Sequence, residues 1–222
     1  YHVSSSWFVL GELIQQIDGR SFPAYFREEI CEPLQMTHTW NGMPWDIWSI
    51  YDEQLGIMSQ RERGQSSELP WHEALWCESP SPGGNTRGPV RELARFYQCL
   101  LNGGELDGRR ILQPHTVEDM RQRHRVGVFD RTLQHTVDFG LGVIINSNRY
   151  GVDSVPYGYG ADASEQAFGH GGSQSSIGYV DPVRELIVSY AANCQPGEGQ
   201  HQRRHREIMR AVDADVRARL SK

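Results

Sequence analysis

Residues 168–190 read FGHGGSQSSIGYVDPVRELIVSY, and the candidate chemistry lies near their start. His170-Gly171-Gly172-Ser173 stands where an alternating apolar run begins. Glycine weakens a strand, so its presence marks a bulge or a place where a ligand or another backbone comes close. A histidine beside such a pair can form the rim of an active site, and the same residues can also make an ordinary turn. His201 and His205 are four apart on a helical stretch, a spacing that suits a metal. Arg203, Arg204 and Arg206 surround them, and the expectation is a solvated basic face. Trp71, Trp76, Tyr157 and Tyr159 suit a substrate pocket as well as core or lid packing. Neither an HExxH run nor a cysteine-rich cluster supports a metal-dependent hydrolase, and no cofactor is expected.

Composition narrows what the chain can be. Its 222 residues, 38% of them hydrophobic, are enough for one domain with a real core. A formal net charge of −6 disfavours a general nucleic-acid binder. Of the 22 basic residues only Lys222 is a lysine, so no mechanism that needs an internal lysine is complete within this chain. Cys31, Cys77, Cys99 and Cys194 form no CxxC pair and read as reduced, which favours the cytoplasm. No apolar run reaches the roughly 18 residues of a membrane span. No signal peptide is visible, and the chain opens on Tyr1 rather than Met.

The elements that would position the histidine and glycines follow from periodicity. Phe8, Val9, Leu10, Leu13, Ile14 and Ile17 make a broad apolar helical face that Gly19 terminates. Phe22, Phe26 and Ile30 predict a second helix that ends before Pro33. Residues 40–82 read as long loops with short helices. Val90, Leu93, Ala94, Tyr97, Leu100 and Leu101 form a helical stripe closed by Gly103-Gly104. Another helix starts near Pro114. The period then shortens: FGLGVII (139–145) predicts a strand, residues 147–165 a Gly- and Tyr-rich loop, and 175–181 and 186–192 two strands joined by a hairpin. A last helix covers 199–219, with Ile208, Met209, Val212, Val216 and Leu220 on one face. Helices, then strands, then a helix predict an α+β protein with an antiparallel sheet. Residues 1–137 read as a mostly helical lobe, and 138–222 as the sheet-forming strands plus the C-terminal helix.

Taken together, YHVSSSWFVLGELI, FREEICEPLQMTHT, GPVRELARFYQCLLNGGELDGRRIL, FGLGV and FGHGGSQSSIGYVDPVRELIVSYAAN resemble the serine β-lactamase and penicillin-binding-protein family. The likeness is to its branch of bacterial carboxylesterases and transacylases. It implies a β-lactamase/DD-peptidase-like fold, an antiparallel sheet with flanking helices and a helical lobe. In that family a Ser-x-x-Lys supplies the nucleophile, a loop tyrosine shares in proton transfer, and a Lys-Thr-Gly triplet lies on an edge strand. The esterase-like branch often carries His-Gly-Gly at the triplet. By this resemblance His170, Gly171 and Gly172 take the triplet's place, and the N–H of Ser173 serves an oxyanion hole. Tyr1-His2, followed by Gly11-Glu12, matches the branch's tyrosine segment, which makes Tyr1 the catalytic tyrosine.

The departure is that no Ser-x-x-Lys exists here. The resemblance therefore implies the C-terminal two-thirds of a serine hydrolase, with the nucleophile in a missing N-terminal segment or a companion chain. The expected activity is acyl-enzyme chemistry on a small-molecule ester or acyl substrate, by a carboxylesterase or acyltransferase rather than a β-lactamase. The alternative is a binding protein that kept the fold and lost the nucleophile.

Overall fold

Three long helices follow the apolar periodicities: α1 (Ser5–Asp18), α2 (Val90–Leu101) and α3 (Glu198–Leu220). The computed structural model describes residues 1–220; Lys222 lies outside the described residues. Gly19 ends α1 as its spacing predicts, with a left-handed φ of 88° and its N–H on the Gln15 carbonyl at 2.9 Å. The second predicted helix is α-helical over Phe22–Phe26 and then widens into one π-turn over Arg27–Cys31. That turn buries Cys31 in a cluster with Leu34, Met36, Cys99 and Leu106.

The central sheet has four antiparallel strands, β1 (Ile144–Ile145), β2 (Phe168–Gly172), β3 (Ser176–Asp181) and β4 (Leu186–Ala191), in the order β4-β3-β2-β1. Alternation along the strands sorts their side chains onto two faces. Ile177, Tyr179, Val188 and Tyr190 meet Ile208, Met209 and Val212 of α3. Phe168, Val180 and Ile187 meet Leu93, Tyr97 and Leu100 of α2. The sheet thus lies between two helices, and burial is complete at its centre: Tyr179 and Val180 are 0% exposed. The predicted β3–β4 hairpin is tied by buried Asp181, whose carboxylate accepts the N–H groups of Val183 and Arg184 at 3.1 and 3.2 Å. The Ser164 hydroxyl donates to the same carboxylate at 2.6 Å.

Three sequence expectations meet a different outcome. The strand predicted over 139–145 is confined to Ile144–Ile145. Gly140 N–H bonds the Val143 carbonyl at 2.9 Å and Gly142 takes a φ of 75°, so the glycines fold a tight turn where the apolar pattern predicted extension. His201 and His205 are not on a solvated face; they are 0% and 1% exposed. They continue the buried row His201-His205-Met209-Asp213 of α3; Arg203 is exposed beside them, while Arg204 and Arg206 are half-buried. The apolar face of α1 packs little: Phe8, Val9, Leu10, Leu13 and Ile17 are 49–81% exposed, and only Gly11 of this helix is buried. No helix among the described residues is long and apolar enough to cross a membrane.

Candidate active site

Strand β2 is paired along its whole length with β3, but β1 reaches only Phe168 and Gly169. His170, Gly171 and Gly172 therefore form a sheet edge beyond the end of β1. The two glycines have a packing reason as well as an open edge. A Cβ on Gly171 would overlap the Tyr157 ring, which fills the space beneath the strand. A Cβ on Gly172 would meet the Ser176 hydroxyl. On the other face Gly178, the register partner of His170, leaves room for the Tyr97 ring of α2. Two tyrosines thus grip the β2–β3 ladder from opposite sides. Ser173 follows the strand as the first residue of its turn and is exposed. The Ser173 carbonyl accepts the Gln195 side-chain N–H at 3.0 Å.

Tyr1, far away in sequence, lies against this edge. Its ring is 5.4 Å from the His170 ring and 5.5 Å from that of Phe139. Its backbone is fixed to the segment after Arg125. The Tyr1 backbone nitrogen donates to the Asp130 carboxylate at 2.7 Å, and the Thr132 hydroxyl donates to the Tyr1 carbonyl at 2.7 Å. Burial works against the charge of Asp130, while its hydrogen bonds from the Tyr1 nitrogen, the Leu133 N–H and Arg125 lower it from the usual carboxylate range. The Tyr1 hydroxyl is raised above its ordinary value by burial, with the Trp7 side chain pulling it back and Asp130 adding to the rise. It is a protonated phenol at neutral pH.

His170 has a defined tautomer. Its Nδ1 is 2.8 Å from the Gly171 carbonyl, which can only accept, so Nδ1 carries the proton. Burial lowers the pKa of the ring, so it is neutral at pH 7. Its Nε2 is then a bare acceptor, and it is buried with no partner among the described residues.

All the residues singled out from the sequence, Tyr1, His170, Gly171, Gly172 and Ser173, thus occupy one edge of the sheet or flank it. The aromatic residues divide differently. Tyr157 and Tyr159 are core, 8% and 1% exposed, while Trp76 on the 74–78 helix is 44% exposed. Trp7 was missed by reasoning from sequence. It packs on Gly83 and Gly142, where a Cβ on either would crowd its ring, and it acts on the Tyr1 hydroxyl. Asp130 was missed too, because its link to Tyr1 spans most of the chain. Among the described residues no group of three or more His, Cys, Asp or Glu side chains is placed to hold a metal ion.

Comparison with known proteins gives this arrangement a lineage. The Beta-lactamase family model matches residues 1–213. The esterase/beta-lactamase LipL of Mycobacterium tuberculosis is 27% identical over 215 residues, covering 86% of this chain and 47% of that protein. A penicillin-binding protein homologue from Caulobacter crescentus superposes with a TM-score of 0.72 at 27% identity, over 93% of this chain and 57% of that one. A family VIII carboxylesterase superposes with a TM-score of 0.70 at 21% identity, over 94% and 58%, and shows the fold alone. The chain spans about half the length of the curated relatives it matches, 47% of LipL, a smaller share than the two-thirds expected from its motifs.

Proposed function

The chain belongs to the Beta-lactamase family of hydrolases, and from that premise we propose that it carries the tyrosine and oxyanion-strand part of a serine hydrolase that acts on esters through an acyl-enzyme. The observation that carries the reading is the contact between Tyr1 and His170 at the free edge of β2. A serine hydroxyl needs an adjacent base to become a nucleophile. Tyr1, with a lysine next to it, would share that proton transfer. The serine and lysine would come from a segment outside these 222 residues. The Ser173 N–H would bind the oxygen on which charge develops, an interaction worth about 2.7–4 kcal/mol per donor.

The tautomer of His170 supports esters over β-lactams. A lysine in the triplet presents a fixed positive charge to a substrate carboxylate. A neutral imidazole with its Nδ1 proton on Gly171 presents none. The acyl group would then pass to water, as in a carboxylesterase, or to an alcohol or amine, as in an acyltransferase. LipL is named an esterase as well as a beta-lactamase, and the first half of that name supports the ester reading.

The absence of Ser-x-x-Lys from the sequence favours one other reading, a binding protein of the same fold without the nucleophile. Side-by-side turnover of a p-nitrophenyl ester and a chromogenic cephalosporin by the natural protein separates the possibilities. Faster ester cleavage supports the proposal, faster cephalosporin cleavage overturns the ester preference, and cleavage of neither supports the binding protein.

A further inference from the structure

The buried histidines of α3 stand directly behind the candidate oxyanion turn, and their hydrogen bonds suit neutral rings. Nη2 of Arg204 donates to the Gln174 carbonyl at 2.8 Å and the Cys194 carbonyl at 3.2 Å, and faces His201 Nδ1 at 3.2 Å. A guanidinium has no acceptor, so His201 Nδ1 must be a bare lone pair. His205 Nε2 is 2.6 Å from the Gly158 carbonyl and must carry a proton, while its Nδ1 is 2.8 Å from the Tyr190 hydroxyl, which can donate to it when the ring is neutral. With both rings neutral each of these contacts has a donor and an acceptor, and His201 Nε2 carries a buried N–H with no partner among the described residues.

Tyr157 links these rings to the site. Its ring is 5.1 Å from that of His201 and lies under Gly171. Its hydroxyl accepts the Gln174 N–H at 3.2 Å, and its own N–H reaches the Gln202 side chain at 3.2 Å. Gln174 is therefore held at its N–H by Tyr157, at its carbonyl by Arg204, and at its side chain by the Gly197 N–H at 2.8 Å. It also keeps a left-handed φ of 49°, unusual for a residue with a side chain. Ser173, between Gly172 and Gln174, takes its orientation from these ties.

We propose that neutral His201 is a positioning residue, which acts through Arg204 to hold the turn presenting the Ser173 N–H, and that protonation of His201 releases that turn. The proposal rests on the reading of Ser173 as the oxyanion donor. A proton on Nδ1 would set two donors and two positive charges face to face, and Arg204 would leave the Gln174 carbonyl. On balance the groups facing the two rings oppose the proton, although the Gln174 backbone favours it on His201 and the Gly158 carbonyl favours it on His205. These groups are Arg204 and Arg206 on α3, Tyr190 on β4, Tyr157 and the Gly158 carbonyl on the preceding loop, and the Gln174 backbone on the turn. The Glu198 carboxylate acts on Tyr157 instead. Burial, then Arg204, push His201 down to about 4, and burial foremost does the same to His205.

The test is an amide and imidazole NMR titration of the 222-residue chain from pH 7.5 to 4, without any acyl ligand. The expected result is that the Ser173 and Gln174 amides shift in step with the His201 ring while the Ile145 and Val180 amides stay in place. That step should vanish in His201→Gln, whose side-chain oxygen still accepts from Arg204. Amides at 173 and 174 that stay still as His201 titrates would overturn the proposal, as would all amides moving together, or an unchanged step in His201→Gln. Such a failure removes the latch and leaves the role of Ser173 standing; a failure of ester turnover does the reverse.

Discussion

Behind the edge of β2, Tyr157, Tyr159, Tyr179 and Met209 are each less than 10% exposed. Along α1, Phe8, Val9, Leu10, Leu13 and Ile17 carry comparable apolar character at 49–81% exposure. Both regions flank the same candidate site, since α1 follows directly on Tyr1 and β2 carries His170. The difference teaches that the sheet side supplies its own stability, with α2 and α3 closing both faces. The α1 side keeps a contiguous apolar face of the kind that marks an interaction surface. Packing arguments therefore hold strongly behind the strand and weakly along α1, and substitutions should separate the two.

The largest effect is chemical. In the form of the protein that carries the nucleophile, Tyr1→Phe should lower kcat/KM for an ester by about 10²–10⁴-fold, the range of a lost acid–base group, with the melting temperature unchanged. A loss under about 10-fold would take Tyr1 out of proton transfer. Next, Met209→Ala should cost about 2–5 kcal/mol in urea denaturation, because it opens a cavity between α3 and the sheet. A near-zero cost would mean that the sheet side is as loosely held as α1.

Acid should weaken the sheet side first. His201 and His205 are near 4 when folded, against an ordinary value of 6.5. The unfolded chain therefore binds more protons between those values, and stability present above pH 6.5 is lost as pH falls towards 4. Denaturation midpoints that stay flat from pH 7 to 4.5 would contradict the neutral pair. Gly171→Ala should follow, at about 1–3 kcal/mol for overpacking against a fixed ring. Gly172→Ala should cost less, since the Ser176 hydroxyl it meets can rotate; equal costs would mean that Tyr157 yields easily. The smallest effect is Leu13→Ser on the exposed face of α1, within about 0.5 kcal/mol.

The sequence carried the long helices and the β3–β4 hairpin because their periods are regular and their ends are marked by Gly19, Gly103 and the Asp181-Pro182 turn, whereas FGHGG of β2 has no alternation to read. It carried the site edge because glycines beside a histidine at a strand are unusual. It misled where local pattern and tertiary context disagree. FGLGVII alternates like a strand, yet Gly140 and Gly142 fold it into a turn. The arginines around His201 and His205 suggest solvent, although the spacing of four from His205 to Met209 already places those histidines on the buried row. Tyr157 under Gly171, Trp7 beside Tyr1 and Asp130 on the Tyr1 backbone depend on contacts between distant segments, which no local signal announces.

Tyr1 and the His170–Ser173 edge together would form part of a serine acyl-transfer site. Intact mass spectrometry of the natural protein before and after a fluorophosphonate probe tests it. The prediction is that a species containing these peptides, or a chain that copurifies with them, gains one probe mass on a serine followed three residues later by lysine. A protein that carries these peptides and takes up no label, alone or with its companions, would contradict it and leave a fold that binds without catalysing.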